Sequence, residues 1–206
     1  MSNDRQAHWR GVYAGKSADE VSWYQARPEL SLRLIANTGL GGGAALLDAG
    51  GGASTLVDHL LEAGYEDITV LDIAPEGMRQ ARARLGPRAA LVQWIVADLL
   101  QWTPPRAYDL WHDRAVFHFL TQEEDRRRYV QVLKDAVPAG RHVIIATFAP
   151  DGPEKCSGLP VMRHSPQSIA AELGADFELV ETADEHHTTP AGKVQHFNYA
   201  RLVRVK

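Results

Sequence analysis

Cysteine is almost missing from this chain. Cys156 is the only one in 206 residues, which excludes an intrachain disulfide or a thiolate zinc cluster and fits a reducing cytoplasm. Surplus positive charge is missing as well. Lys plus Arg number 22 against 26 Asp plus Glu, a net charge of −4, whereas a whole-protein grip on nucleic acid or an anionic membrane draws on excess cations. No apolar run approaches the roughly 18–20 residues that span a bilayer. The stretch Met1 to Gly11 is polar, with no apolar core of a secretory signal. Among the histidines, His186, His187 and His196 lack the spacing of a metal-ligand pair, so no metal is expected. These absences leave a cytoplasmic protein without nucleic-acid or membrane partners. Its length suits one domain over residues 1–206.

What is present is an alternation. Ala45 to Ala49 reads as a buried strand, followed by a helix with Leu56, Val57, Leu60 and Leu61 on one face, capped by Ser54. Ile68 to Asp72 is the next strand, Pro75 opens a second helix, and Leu91–Val96 and Ala107–Trp111 read as further strands. Gln122 to Val137 has the pattern of a long amphipathic helix. Its Arg126, Arg127 and Arg128 follow Glu123, Glu124 and Asp125 at i,i+4 spacing, as on a solvated face. His142–Phe148 is a fifth strand, 149–163 a polar loop, and Ser165 caps a short helix. Phe177–Thr182 and Val194–Val205 read as closing strands, the last of antiparallel or edge type. Strand and helix alternating at this pace imply an α/β, doubly wound sheet. Residues 1–40 fall outside the alternation and read as a helical lead-in, with Pro28 at a helix start. Such a segment is placed to lie as a lid over the carboxyl ends of the strands of a core spanning 45–206.

The most informative stretch is Asp48-Ala49-Gly50-Gly51-Gly52-Ala53-Ser54-Thr55. Glycines between a strand and a helix let the backbone turn tightly and approach a ligand. Asp72 ends the next strand 20 residues after Gly52, where a ribose-binding carboxylate belongs. Thr55 holds the place of the third glycine of the dinucleotide fingerprint, and Asp48 puts negative charge where a pyrophosphate would sit. An ammonium-bearing ligand suits that charge. The pattern favours a nucleoside with a sulfonium, S-adenosylmethionine, over a nicotinamide dinucleotide.

These residues resemble the class I, seven-strand S-adenosylmethionine-dependent methyltransferases over essentially the whole chain, from Trp9 to Val205. Leu46-Leu47-Asp48-Ala49-Gly50-Gly51-Gly52 is similar to the first motif of that family, which cradles the methionine end. The resemblance implies that Asp72 binds the ribose hydroxyls with Ile73 beside the adenine, and that Asp98 of Ala97-Asp98-Leu99 meets the adenine amino group. It also implies a Rossmann-like sheet of order 3-2-1-4-5-7-6 with strand 7 antiparallel, and S-adenosylhomocysteine as product. Trp23-Tyr24-Gln25, Asp113-Arg114-Ala115 and Gly152-Pro153 resemble the thiopurine methyltransferase-like group, which methylates small soft nucleophiles such as thiols. Asp113-Arg114-Ala115 is similar, more loosely, to the Asp-Lys-Gly signature of a lysine-methylating branch.

Methyl transfer is an in-line displacement in which the protein aligns the reactants and excludes water. A general base is needed only for a protonated acceptor of high pKa. His112 is placed to orient or deprotonate an acceptor, or else to bond backbone at a strand end. Asp113 holds the lead-in or the cofactor region, or acts as a base. Tyr24 and Trp23 are read as a lid or as packing anchors. His118, between Phe117 and Phe119, is a core or pocket-wall histidine. Cys156 and Arg163, in the loop after the fifth strand, would help shape the acceptor pocket, with Arg163 suited to an anion. The expected function is methyl transfer to a small molecule, a soft nucleophile being favoured. A protein lysine methyltransferase and a non-catalytic cofactor-binding module are the alternatives.

Overall fold

In the computed structural model, which describes residues 2–206 with side chains from Asp4 onward, the apolar runs pair into one sheet. Two helices come first, α1 (Ser2–Ala14) and α2 (Glu29–Ala36). The alternation then follows as β1 (Ala45–Ala49), α3 (Leu56–Glu62), β2 (Asp67–Asp72), α4 (Pro75–Leu85), β3 (Val92–Val96), β4 (Leu110–Arg114), α5 (Glu123–Ala136) and β5 (His142–Phe148). A short hairpin β6 (Lys155–Cys156) and β7 (Leu159–Pro160) precedes α6 (Pro166–Leu173), β8 (Phe177–Thr188) and β9 (Val194–Arg204). The seven-stranded sheet has the order β3-β2-β1-β4-β5-β9-β8, parallel except that β9 runs antiparallel to both neighbours. With the separate hairpin set aside, this is the expected order 3-2-1-4-5-7-6.

All five residues of β1 are buried, because helices cover both faces of a sheet of this kind. Side chains alternate across the pleat. Leu46 and Ile144 pack toward α2, α3 and α4 with Leu34, Leu56 and Met78, while Leu47 and Ile145 pack toward α5 and α6 with Leu133 and Ile169. The strand order reverses between β1 and β4, so a crevice opens at their carboxyl ends, the usual ligand site of this architecture. No described helix is long and apolar enough to cross a membrane.

Four sequence expectations need correction. The fourth strand begins at Leu110 rather than Ala107, because the N–H groups of Tyr108 and Asp109 are taken by the carbonyls of Ala136 and Ala45. His112, Asp113 and Arg114 therefore stand within the strand. The loop of 149–163 contains the β6–β7 hairpin, turned through Ser157 and Gly158, both at positive φ. β8 continues six residues beyond Thr182, paired to β9 throughout with a bulge near Val180. Arg126 is not on a solvated face: its guanidinium is buried against the carbonyls of Leu120 and Thr121 and pairs with Glu172.

Candidate active site

The glycine turn after β1 is pinned to β2, with the N–H groups of Gly50 and Gly51 both donating to the Leu71 carbonyl at 2.7 and 3.3 Å. Gly50 has φ +74°, and a Cβ there would collide with Val116 Cγ2 from the turn after β4. Gly52, at φ +38°, faces the Tyr13 hydroxyl, and a Cβ on it would lie 2.8 Å from Asp72 Oδ2. Glycine is required at both places by conformation and by space.

Two adjoining cavities open beside this turn. The first is lined by Asp72, Ile73, Asp98, Leu99, Trp9, Phe119 and Cys156. The second is lined by Asp48, Gly51, Ser54, Tyr24, Ser31 and His112. Trp23, Gly50 and Arg114 belong to both. The structure thus gathers eleven of the residues singled out from sequence around one divided cleft: Asp48, Gly50, Asp72, Ile73, Asp98, Leu99, Trp23, Tyr24, His112 and Cys156 line it, and Gly52 abuts it beneath Tyr13.

The carboxylates in the walls are unequally satisfied. Asp48 Oδ1 lies 2.8 Å from His112 Nδ1, whereas its Oδ2 is buried with no hydrogen-bond partner. Asp98 Oδ1 accepts from the Leu100 N–H at 3.1 Å, and its Oδ2 is likewise buried without a partner. Buried acceptors left open in a cavity wall call for donors from a ligand. Asp72 Oδ1 accepts from the Ala74 N–H at 2.7 Å, and burial pushes its carboxyl up to about 7, with the nearby Asp48 charge adding to the rise.

His112 is fully engaged. Its Nδ1 meets Asp48 and its Nε2 lies 2.9 Å from Ser31 Oγ on α2, so the ring bridges β1 and the lead-in at the floor of the second cavity. Asp113 reaches neither cavity and is corrected from a catalytic to a structural position. Its Oδ1 accepts from the Val116 N–H at 2.9 Å and its Oδ2 from the Tyr129 hydroxyl at 2.7 Å, clasping the turn after β4 onto α5. Burial pushes that carboxyl up to about 6. Of the two readings of His118, core and pocket wall, the structure takes the first, and the substrate-pocket role falls away. His118 is wholly buried between Phe119 and Phe148, and desolvation lowers its pKa to about 3, so the ring is neutral. Arg163 also lies off the cleft, donating to the Gly152 carbonyl at 3.2 Å and pairing with Glu154.

Three wall or support residues escaped the sequence reading. Tyr13 projects from α1 onto Gly52 and beside Asp72, and burial raises its phenol well above the ordinary range. α1 is polar and weakly periodic, so nothing in its pattern marks this residue. Ser31 is buried beneath His112. Arg114, quoted only as part of a motif, places a buried guanidinium in the wall common to both cavities. The aromatic rings of Trp9, Tyr13, Trp23 and Phe119 meet edge to face above the cleft, at centroid separations of 5.0–6.0 Å. Among the described residues no three His, Cys, Asp or Glu side chains gather as a metal site.

Comparison with known proteins supplies the family context. Residues 46–140 match the family model of the methyltransferase domain. No curated protein matches the sequence. A protein solved in work on the conversion of a disulfide bond into a thioacetal group during echinomycin biosynthesis is 20% identical, with a TM-score of 0.76 over 98% of this chain and 92% of its own. The 1,6-didemethyltoxoflavin-N1-methyltransferase of Burkholderia thailandensis is 18% identical, with a TM-score of 0.72 over 100% of this chain and 91% of its own. The N-methyltransferase NodS of Bradyrhizobium japonicum is 16% identical, with a TM-score of 0.67 over 88% and 90%. The chain thus carries a methyltransferase domain over residues 46–140 within the seven-strand fold of the class I S-adenosylmethionine-dependent methyltransferases.

Proposed function

We propose that residues 1–206 act as one S-adenosylmethionine-dependent methyltransferase domain whose acceptor is a small molecule with a soft nucleophile, a thiol or its like. The observation that carries the cofactor assignment is the pair of unpartnered buried oxygens, Asp48 Oδ2 in one cavity and Asp98 Oδ2 in the other. S-adenosylmethionine has an amino group at each end, and these oxygens would receive them, with the Asp72 carboxylate left for the ribose. When bound, that cofactor supplies an electrophilic methyl group on a sulfonium. The chain's part is alignment, desolvation and control of charge.

Neither His112 nor Asp113 has a ring nitrogen or carboxylate oxygen free to take a proton from an acceptor. A soft nucleophile needs no such base. Arg114 favours an anionic form of the acceptor, since a fixed cation in a dry wall stabilises a thiolate and disfavours a protonated lysine. The aromatic wall of Trp9, Trp23 and Phe119 fits a compact acceptor that enters beneath α1 and the segment around Trp23. Small-molecule chemistry among the structural neighbours, including the toxoflavin and disulfide-to-thioacetal cases, supports the same reading.

Calorimetry with S-adenosylmethionine and with NADH tests the cofactor, and tight binding of NADH alone would sink the proposal. Incubation with radiolabelled cofactor and fractionated lysate tests the acceptor. Label is expected in the small-molecule fraction, and a labelled protein band would favour lysine methylation instead. His112→Ala is expected to lower kcat/KM by the same factor, about tenfold or more, for thiol and amine acceptors alike, since the ring positions Asp48 and does not carry a proton. A loss confined to amines would restore the general base.

A further inference from the structure

One cluster at the back of the cleft is unaccounted for by the cofactor. Glu185, on the extension of β8, receives three donors. Its Oε1 accepts from Gln25 Nε2 at 2.6 Å, and its Oε2 from Arg114 Nη2 at 3.2 Å and from the Tyr199 hydroxyl at 3.0 Å. Arg114 in turn donates to Tyr199 at 2.9 Å and to the Trp23 carbonyl at 3.1 Å, with its guanidinium 4.4 Å from the Phe197 ring centre. Two residues along β8, His187 Nε2 lies 2.8 Å from the Ser22 carbonyl. One carboxylate therefore ties together β4, β9 and the strap of residues 22–25, whose Trp23 lines both cavities.

The groups that face Arg114 are Tyr199, Glu185, His118, His187 and Cys156. Burial pushes the Tyr199 phenol up to about 12, holds His118 near 3, keeps His187 below the ordinary histidine value and raises the Cys156 thiol. Those four stay neutral around pH 7, which leaves the Arg114–Glu185 ion pair as the charged element. Arg5, Asp48, Asp72 and Asp98 line other parts of the cleft.

We propose that Glu185 is a positioning residue for methyl transfer: it fixes Arg114 in the wall shared by the two cavities, offsets part of its charge toward the incoming nucleophile, and seats the Trp23 strap through Gln25. The role in transfer rests on the methyltransferase reading. The electrostatic role does not, because the cavity contains its own reporter. Cys156 is the only cysteine of the chain, lines the first cavity, and feels Arg114 as a charge that lowers its pKa.

The test titrates Cys156 in the full chain by its rate of reaction with methyl methanethiosulfonate across pH, in wild type, Glu185→Gln, Glu185→Asp and Arg114→Gln. Removing the carboxylate uncovers the guanidinium, so Glu185→Gln is expected to lower the Cys156 pKa by about one unit. Arg114→Gln is expected to raise it, and Glu185→Asp to stay close to wild type. S-adenosylhomocysteine affinity in Glu185→Gln is expected to remain within about threefold of wild type, while kcat/KM for thiophenol as probe acceptor falls at least tenfold and recovers in Glu185→Asp. A lower melting temperature with the Cys156 pKa unmoved in both Glu185 variants overturns the proposal and leaves Glu185 a structural residue. Absence of transfer to thiophenol by wild type, with the Cys156 shifts present, overturns the soft-nucleophile reading and the role in thiol transfer, and leaves the electrostatic role of Glu185 standing.

Discussion

Asp72→Asn is expected to stabilise the ligand-free protein at pH 8 while weakening S-adenosylmethionine binding at least tenfold. The Asp72 carboxyl titrates near 7 in the folded chain, chiefly because burial disfavours its charge, against an ordinary value of 3.8. A folded pKa raised in this way contributes stability that is fully present below the unfolded value and is lost as pH rises to the folded one. Well above pH 7 the ionised carboxylate therefore costs about 4 kcal/mol. The amide of the variant retains the oxygen that accepts from the Ala74 N–H and removes the charge. Thermal melts at pH 8 should show a gain of several degrees, since about 1 kcal/mol moves a protein of this size by roughly 2–4 °C. At pH 3, below the ordinary carboxyl value of 3.8, the pH-dependent difference between the two proteins should vanish. Binding runs the other way, because hydroxyl donors to a carboxylate are charge-assisted. Wild-type affinity should rise with pH up to about 7 and then level off, and the Asp72→Asn variant should show no such rise. Equal melting temperatures at pH 8 would mean that the carboxylate is not desolvated as described.

Gly50→Ala is expected to abolish detectable cofactor binding and to destabilise the fold by about 2 kcal/mol or more. Two effects add. A side chain at φ +74° costs about 1 kcal/mol in backbone strain, and the new methyl collides with Val116 Cγ2. The turn is held on β2 by two N–H donors and cannot drift away, so the clash is relieved by pushing Val116 toward the first cavity, which it lines. The two effects can be separated. In Gly50→Ala/Val116→Ala the nearest atom of residue 116 is its Cβ, 3.5 Å from the new methyl, an ordinary contact. The double variant should recover the steric part and keep only the strain, a coupling visible in a double-mutant cycle of thermal or denaturant unfolding. Strict additivity would show that the contact is not what makes Gly50 necessary.

Legibility differed sharply between the parts of the site. Asp48, Gly50, Gly52 and Asp72 could be read directly, because a strand–turn–helix and the next strand end place them within a short stretch of chain, where glycine and carboxylate have few reasons to recur. His112 is legible as a strand-end histidine, but its role depends on partners distant in sequence. Asp48 is 64 residues away and Ser31 is 81, and no local pattern carries either pairing. Asp113 and Arg163 drew attention through charge near the strand ends, yet each spends that charge on neighbouring backbone or side chains outside the cleft. Glu185 and Tyr13 gave no signal. The first sits in an alternating strand and the second in a polar helix, and both acquire meaning only from what lies opposite.

By itself the sequence determined the alternation of strands and helices, the glycine turn that a ligand can approach, the carboxylates beside it, and the lack of excess cations. These follow from backbone conformation, side-chain periodicity and net charge, all of which are local or additive along the chain. Tertiary structure alone decided which carboxylate oxygens face the cleft unpaired, which histidines are neutral in the core, and that Arg114 stands against Glu185 in the shared wall. Burial and hydrogen-bond satisfaction depend on groups brought together from distant positions. The identity of a charged residue announces only that a partner is needed, and the packing of the sheet and lead-in selects which one.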